Sequence, residues 1–243
     1  MNQIHRIEAV LLSGVFILLI TGLVLSHADL AFFESVYVIE DGPLEWLTVV
    51  ALAVAGSICL MRLLKARFQH HWRHRAVLIF LIFFCFFGAG EEISWGQRIF
   101  NIETPEFFQD KNAQGELGFH NLKFGDVKIN KLVFGRGLAI MMIIYLFIMT
   151  PLYRRQPKFQ HWIDQSGIPM PRNHHIYAYL LVVFIVEVLV DSKRRGELTE
   201  FAGSFVFLMN IWFAYNRDQL INGGATPPTS FSSKQTAKSL EQA

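Results

Sequence analysis

Phe83-Phe84-Cys85-Phe86-Phe87-Gly88-Ala89-Gly90-Glu91-Glu92-Ile93-Ser94-Trp95-Gly96-Gln97-Arg98 decides how this chain is read. An apolar run ends in two adjacent carboxylates, followed by Ser, Trp, Gln and Arg. Unbroken apolarity covers only about 15 residues here, from 76 to 90, whereas a helix needs about 20 to cross a bilayer. The sequence therefore predicts that this helix completes its span by carrying Glu91 and Glu92 into the membrane. Ionisable side chains there are costly, and they face a bundle interior or a watery cavity. The pair is the centre of the candidate site.

Composition fixes the class around that stretch. The 243 residues are 52% hydrophobic and only 17% charged, against about 25% charged in a soluble domain. Apolar runs of near-spanning length predict an all-α polytopic membrane helix bundle of about six transmembrane helices. The predicted helices cover residues 8–26, 43–64, 76–96, 132–149, 175–191 and 197–215. They form one domain, 1–221, with a long loop at 98–131. The tail 222–243 is rich in Gly, Pro, Ser and Thr and reads as disordered. No small-residue cleavage pattern follows the first run, so it reads as a retained helix. Cys59 and Cys85 fall inside predicted spans and read as packing residues. The net charge of +2 gives no basic footprint for nucleic acid. Membrane lipid is the partner the composition implies, in the inner (plasma) membrane.

Orientation follows from Lys and Arg in the loops. With both termini cytoplasmic, 13 of the 22 basic residues lie inside. The first outer loop has none; Lys193-Arg194-Arg195 opposes the rule. The acids fall the other way. Of 20, only Glu8, Asp164, Asp218 and Glu241 lie inside, which predicts a carboxylate-rich outer end.

Four predicted helix ends deliver acids to that end. Asp41 and Glu45 share a face with Thr48 at the start of the second helix. Glu91 and Glu92 end the third, with Arg98 beyond. Glu187 and Asp191 end the fifth. Glu197 and Glu200 begin the sixth, with Ser204 one turn deeper. Acids at helix starts also satisfy the helix dipole, which explains Asp41, Glu45, Glu197 and Glu200 without any function. That explanation fails for Glu91, Glu92, Glu187 and Asp191, which stand at C-terminal ends. An ion pair with Arg98 or Arg136 is the structural alternative for Glu187.

The loop at 98–131 carries its own signals. Thr104-Pro105-Glu106 reads as a helix start, with Phe107-Phe108 suited to the lipid interface. His120 follows, and a histidine among carboxylates suits metal binding or proton transfer. Trp95 reads as an interface anchor. His70-His71-Trp72-Arg73-His74 and His174-His175 read as contacts to lipid headgroups. No phosphate loop, nucleophile elbow, His-Glu-x-x-His or Cys-x-x-Cys is present.

The set Glu40-Asp41-Gly42-Pro43-Leu44-Glu45-Trp46-Leu47-Thr48, Gly90 to Arg98, Glu103-Thr104-Pro105-Glu106-Phe107-Phe108 and His120-Asn121-Leu122 resembles a group of uncharacterised bacterial multi-pass membrane proteins. The likeness covers roughly residues 38–125 and implies no particular activity. A looser resemblance is to the CPBP intramembrane proteases, which pair Glu-Glu with an Arg and with later helical His residues. Here Arg98 lies six residues after Glu92, where that family's pattern places it four after. No later helix carries His-x-x-x-Asn or His-x-x-x-Asp, and His120 lies in a loop.

The sequence thus points to a hydrophilic pocket at the outer end. Its catalytic candidates are Glu91, Glu92, His120 and Glu187. With Glu200 the same residues are candidate ligands for a divalent metal, the only cofactor implied. Asp41, Glu45, Arg98 and Asp191 are supporting candidates. Such a pocket suits hydrolysis of a lipid-linked or peptide substrate by metal or acid–base chemistry. The alternatives are a proton- or cation-coupled carrier, and a scaffold or sensor acting through the long loop.

Overall fold

The structure is a computed structural model that describes residues 3–65, 72–112, 115–119, 122–124, 127–128 and 137–222. It is helical, apart from a two-residue antiparallel pairing of Lys123–Phe124 with Val127–Lys128. The main helices are α1 (Gln3–Ala28), α2 (Pro43–Lys65) and α3 (Trp72–Glu92), then α4 (Leu138–Arg155) and α5 (Pro157–Ser166). They are followed by α6 (Asn173–Leu189) and α7 (Gly196–Trp212). Four of them, starting at Arg6 within α1 and including α2, α3 and α4, are long and apolar enough to cross a membrane. α6 is a shorter apolar helix. Phe80, Phe83 and Phe86 of α3 and Ile140, Met141 and Phe147 of α4 are all exposed. Water would penalise so large an apolar surface; hydrocarbon would not.

α3 differs from its predicted course at both ends. It begins at Trp72 and so gains a polar turn, Trp72-Arg73-His74-Arg75, before the apolar run. Its 21 residues make up the missing length at the basic end. The span is therefore completed without extending the helix past Glu92. Beyond Glu92 the chain leaves the helix at Ile93, whereas the sequence predicted continuation to 96.

α4 also departs from expectation. The predicted stop before Thr150-Pro151 does not occur, and the helix runs through to Arg155. Proline lacks the N–H of a helical turn and its ring crowds the preceding carbonyls. Here a wide π-helical segment, Ile144–Met149, precedes it, and the Thr150 hydroxyl donates to the Tyr145 carbonyl at 2.9 Å. The wider turn gives the ring room, and the hydroxyl supplies a donor.

Close approach organises the packing. A Cβ on Gly56 of α2 would lie 3.1 Å from the Cys85 Cβ of α3, and one on Gly88 of α3 would lie 3.1 Å from Leu52 Cδ1. Small residues let two apolar helices approach where lipid supplies little drive for association. Cys59 and Cys85 are buried free thiols in this seam. α7 closes the core. It packs Leu208 and Ile211 on the α2–α3 pair, and Leu198, Phe201 and Ala202 on α1 and α6. An Arg62 Nη2 to Ile211 carbonyl bond of 2.9 Å ties the ends of α2 and α7. The Tyr145 hydroxyl donates to the Pro169 carbonyl and accepts from Asn210 Nδ2 at 2.7 Å, tying α4 to α7.

The helix α5, absent from the predicted elements, sits against the beginning of α3. Gly167 ends it in a left-handed conformation and presses on the buried His74 ring. His74 is thus packed inside the protein and is not a headgroup contact; His70 and His71 lie outside the described residues. Asp164 of α5 accepts from the Tyr153 hydroxyl and from Asn216 Nδ2, each at 3.0 Å. Burial pushes its carboxyl above the ordinary range.

Replacing Gly56 with Leu would force a branched side chain into the α2–α3 seam. Overpacking costs about 1–3 kcal/mol, so the thermal midpoint in detergent is expected to fall by several degrees. An unchanged midpoint would contradict the close packing described.

Candidate functional site

The site at the Glu91–Glu92 end of the bundle begins with a chain reversal. Ser94, Trp95 and Gly96 have φ of 47°, 55° and 77°, three left-handed residues in succession. For Ser and Trp that conformation costs about 1–2 kcal/mol each, so the surroundings must enforce it. They do so through Glu91. The Trp95 indole folds back over Gly90, where a Cβ would lie only 3.0 Å from the ring. Its Nε1–H donates to Glu91 Oε1 at 2.6 Å, and its edge meets the Phe86 and Phe87 rings. Trp95 thus grips its own helix end.

The second Glu91 oxygen receives the loop. The Phe119 backbone N–H donates to Oε2 at 2.7 Å, and the Phe119 ring meets Phe87 and Phe108. Gln97 fixes the middle of the loop. Its amide donates to the Thr104 hydroxyl and its oxygen accepts from the Leu117 N–H at 2.6 Å. The predicted short helix forms at Glu106–Lys111. Thr104 serves Gln97 instead of capping that helix, and Phe108 packs inward while Phe107 is exposed. Arg98 links the start of α2 to the loop. Its Nε lies 2.9 Å from Asp41 Oδ2 and its Nη1 lies 3.0 Å from Glu116 Oε1. The Ser94 hydroxyl donates to Glu116 Oε2 at 2.7 Å.

Glu92 faces a different environment from Glu91. It is half-buried, and the charges of Glu200, Glu197, Glu45 and Glu91 all bear on its carboxylate. Three helices contribute: α2 through Glu45, α3 through Glu91 and Glu92, α7 through Glu197 and Glu200. The turn that starts α2 holds Glu45 in place. Asp41 has a φ of 60°, its N–H donates to the Glu45 carboxylate, and a Cβ on Gly42 would strike the Ile39 carbonyl at 2.5 Å. Arg98 is the cation whose charge reaches Glu45. Thr48 and Ser204, placed by the sequence near these acids, donate to their own helix backbones.

The fifth predicted helix does not join the cluster. Glu187 is exposed and pairs with Arg195 at 3.2 Å, a partner different from the predicted Arg98 or Arg136. Asp191 is also exposed. Arg194 stands 3.9 Å from Glu40, so two of the three cations in the Lys193-Arg194-Arg195 run have acidic neighbours. His120 and Arg136 lie outside the described residues.

Sequence reading passed over a second polar cluster, at the opposite end of the bundle. Glu8 of α1 meets Arg172, His174 and His175 at the start of α6. Both His174 and His175 reach this carboxylate; His175 is buried and so is no headgroup contact, whereas His174 is exposed. The residues are separated by more than 160 positions, and the only sequence signal was the adjacent histidine pair. No family model, curated protein or solved structure matches this chain.

Glu91 therefore acts as a structural acceptor, and Glu92 as the acid exposed to its fellows. Replacing Glu91 with Leu strands two donors, at about 1–3 kcal/mol for each buried group. The variant is expected to melt earlier than Glu92→Gln and to be cut faster by protease between residues 97 and 119. Equal melting of the two variants would refute this division.

Proposed function

We propose that this protein is a membrane-embedded hydrolase of the acid–base type, acting on a lipid-linked or peptide substrate at the carboxylate end of the bundle. The supporting observation is the setting of Glu92 among Glu45, Glu91, Glu197 and Glu200. Glu92 and the four acids whose charges act on it cannot all ionise freely in a medium of low dielectric without balancing cations or shared protons. A protonated and an ionised carboxyl side by side supply an acid and a base. In this reading Glu92 takes a proton from water as its oxygen attacks the scissile carbonyl or phosphoryl group. A protonated neighbour from α2 or α7 returns a proton to the leaving group. A hard divalent cation held by the same oxygens is the metal-dependent form of the reaction. Glu91 positions the loop and Arg98 links it to the start of α2.

The same reading places six crossings in the inner membrane, the four long helices with α6 and α7, and both termini in the cytoplasm. Reporter fusions after residues 65, 155 and 222 test that topology: all three are expected on the cytoplasmic side, with none active in the periplasm.

A search for the reaction need not presuppose the substrate. Purified protein is incubated with membrane lipid and peptide fractions in ¹⁸O-water, and products are read by mass spectrometry. Wild type is expected to place ¹⁸O in a released carboxylate or phosphate, and Glu92→Gln to lower the rate at least ~100-fold. Chelator sensitivity separates the metal-dependent form from the metal-free one. Absence of labelled product from every fraction would count against a hydrolase.

A second reading, a proton- or cation-coupled carrier, is favoured by one observation: ionisable clusters stand at both ends of the bundle. Ion flux in proteoliposomes that Glu92→Gln abolishes would select it over hydrolysis.

A further inference from the structure

The cluster opposite the carboxylate end has a composition and geometry of its own. Glu8 lies one turn and a half into α1, and its side chain is 4% exposed. His174 Nε2 and His175 Nε2 both lie 2.7 Å from the same oxygen, Glu8 Oε1. Their rings meet edge to face with centroids 4.5 Å apart. Adjacent residues in a regular helix point about 100° apart. These two stand in the first turn of α6, after an extended Arg172, and both reach the same carboxylate oxygen of α1. Ligand atoms of all three residues lie within 4.8 Å of one another.

We propose that Glu8, His174 and His175 hold a divalent transition-metal ion of the zinc class. Two imidazole nitrogens and one carboxylate oxygen are a donor set such ions favour over Mg²⁺ or Ca²⁺, which take oxygen ligands. Zinc bonds to N and O are about 2.0–2.2 Å long. Donor atoms around one ion are then spaced a little wider than a hydrogen bond, so a small outward movement of the imidazoles admits the ion between them.

The remaining contacts fit that role. Arg172 Nη1 donates to the other Glu8 oxygen, Oε2, at 3.1 Å. That bond occupies one oxygen and aims the other at the histidines, as outer contacts orient metal ligands generally. His175 is 1% exposed and therefore held, whereas His174 is 48% exposed. The buried pair provides a fixed seat. The exposed histidine leaves an entry path and a coordination position open to solvent. Without an ion, Glu8 and Arg172 form an ordinary ion pair supported by two imidazole donors, and this is the outcome against which the metal is tested.

The inference is independent of the hydrolase reading, because it uses no residue of the carboxylate end. The test uses full-length protein in detergent, tag removed and metal stripped with chelator, titrated with Zn²⁺ by calorimetry. Wild type is expected to bind one equivalent that Mg²⁺ does not displace, and to melt higher when loaded. His174→Ala, at an exposed position, is expected to keep the metal-free melting point and lose at least tenfold in Zn²⁺ affinity. Glu92→Gln is expected to bind as wild type does. His174→Gln serves the same purpose if the alanine variant does not fold. No stoichiometric binding by wild type overturns the proposal. So does binding that survives in the His174 variants, or that is lost in Glu92→Gln.

Discussion

Two hydrogen bonds to one carboxylate hold the Glu91 end of this bundle together. Glu91 accepts from the Trp95 indole on one oxygen and from the Phe119 backbone on the other. The first bond enforces a left-handed reversal that Ser and Trp would not adopt alone. The second brings a loop that begins at Gln97 back over the end of α3. Because the chain turns immediately after Glu92, that acid is left at the helix end, where the charges of Glu45 of α2 and of Glu197 and Glu200 of α7 act on it. The neighbouring acids thus have opposite duties: one satisfies donors, the other stands among like charges.

Charge is distributed with the same economy elsewhere. Several polar contacts between helices fall near their ends, where an aqueous phase or a partner can meet them, while Tyr145 and Asn210 join α4 to α7 farther in. Arg98 joins the start of α2 to the loop, Arg195 meets Glu187, and Arg62 caps α7 with its guanidinium. Between those ends the helices meet through Gly56, Gly88, Cys59 and Cys85, residues small enough for backbones to approach. Stability in the middle of the bundle therefore comes from close packing, and specificity from its two ends.

Several features were legible in the sequence because they are local. The apolar runs marked α1, α2, α3, α4, α6 and α7, and Asp41-Gly42-Pro43 marked the start of α2. Thr150-Pro151 misled because the penalty for proline assumes a regular α-helical turn, and a π-helical segment relieves it. α5 was missed because its pattern is polar and short. The bond from Trp95 to Glu91 was not legible, because the positive φ at 94–96 that turns the indole back has no sequence signature in Ser and Trp.

By itself the sequence determined that this is a helical chain fit for a membrane, with most of its acids gathered toward one end. Hydrophobic run length and charge placement are one-dimensional properties, and they survive folding. Which acids meet is another matter. Along the chain Glu187 ranked as a catalytic candidate and Glu200 only as a possible metal ligand, yet Arg195 engages Glu187, and it is the charge of Glu200 that acts on Glu92. Glu8, His174 and His175 form a cluster only because α1 lies against α6, across more than 160 residues. Such pairings depend on helix rotation and order in the bundle, and these are set by side-chain packing between distant segments.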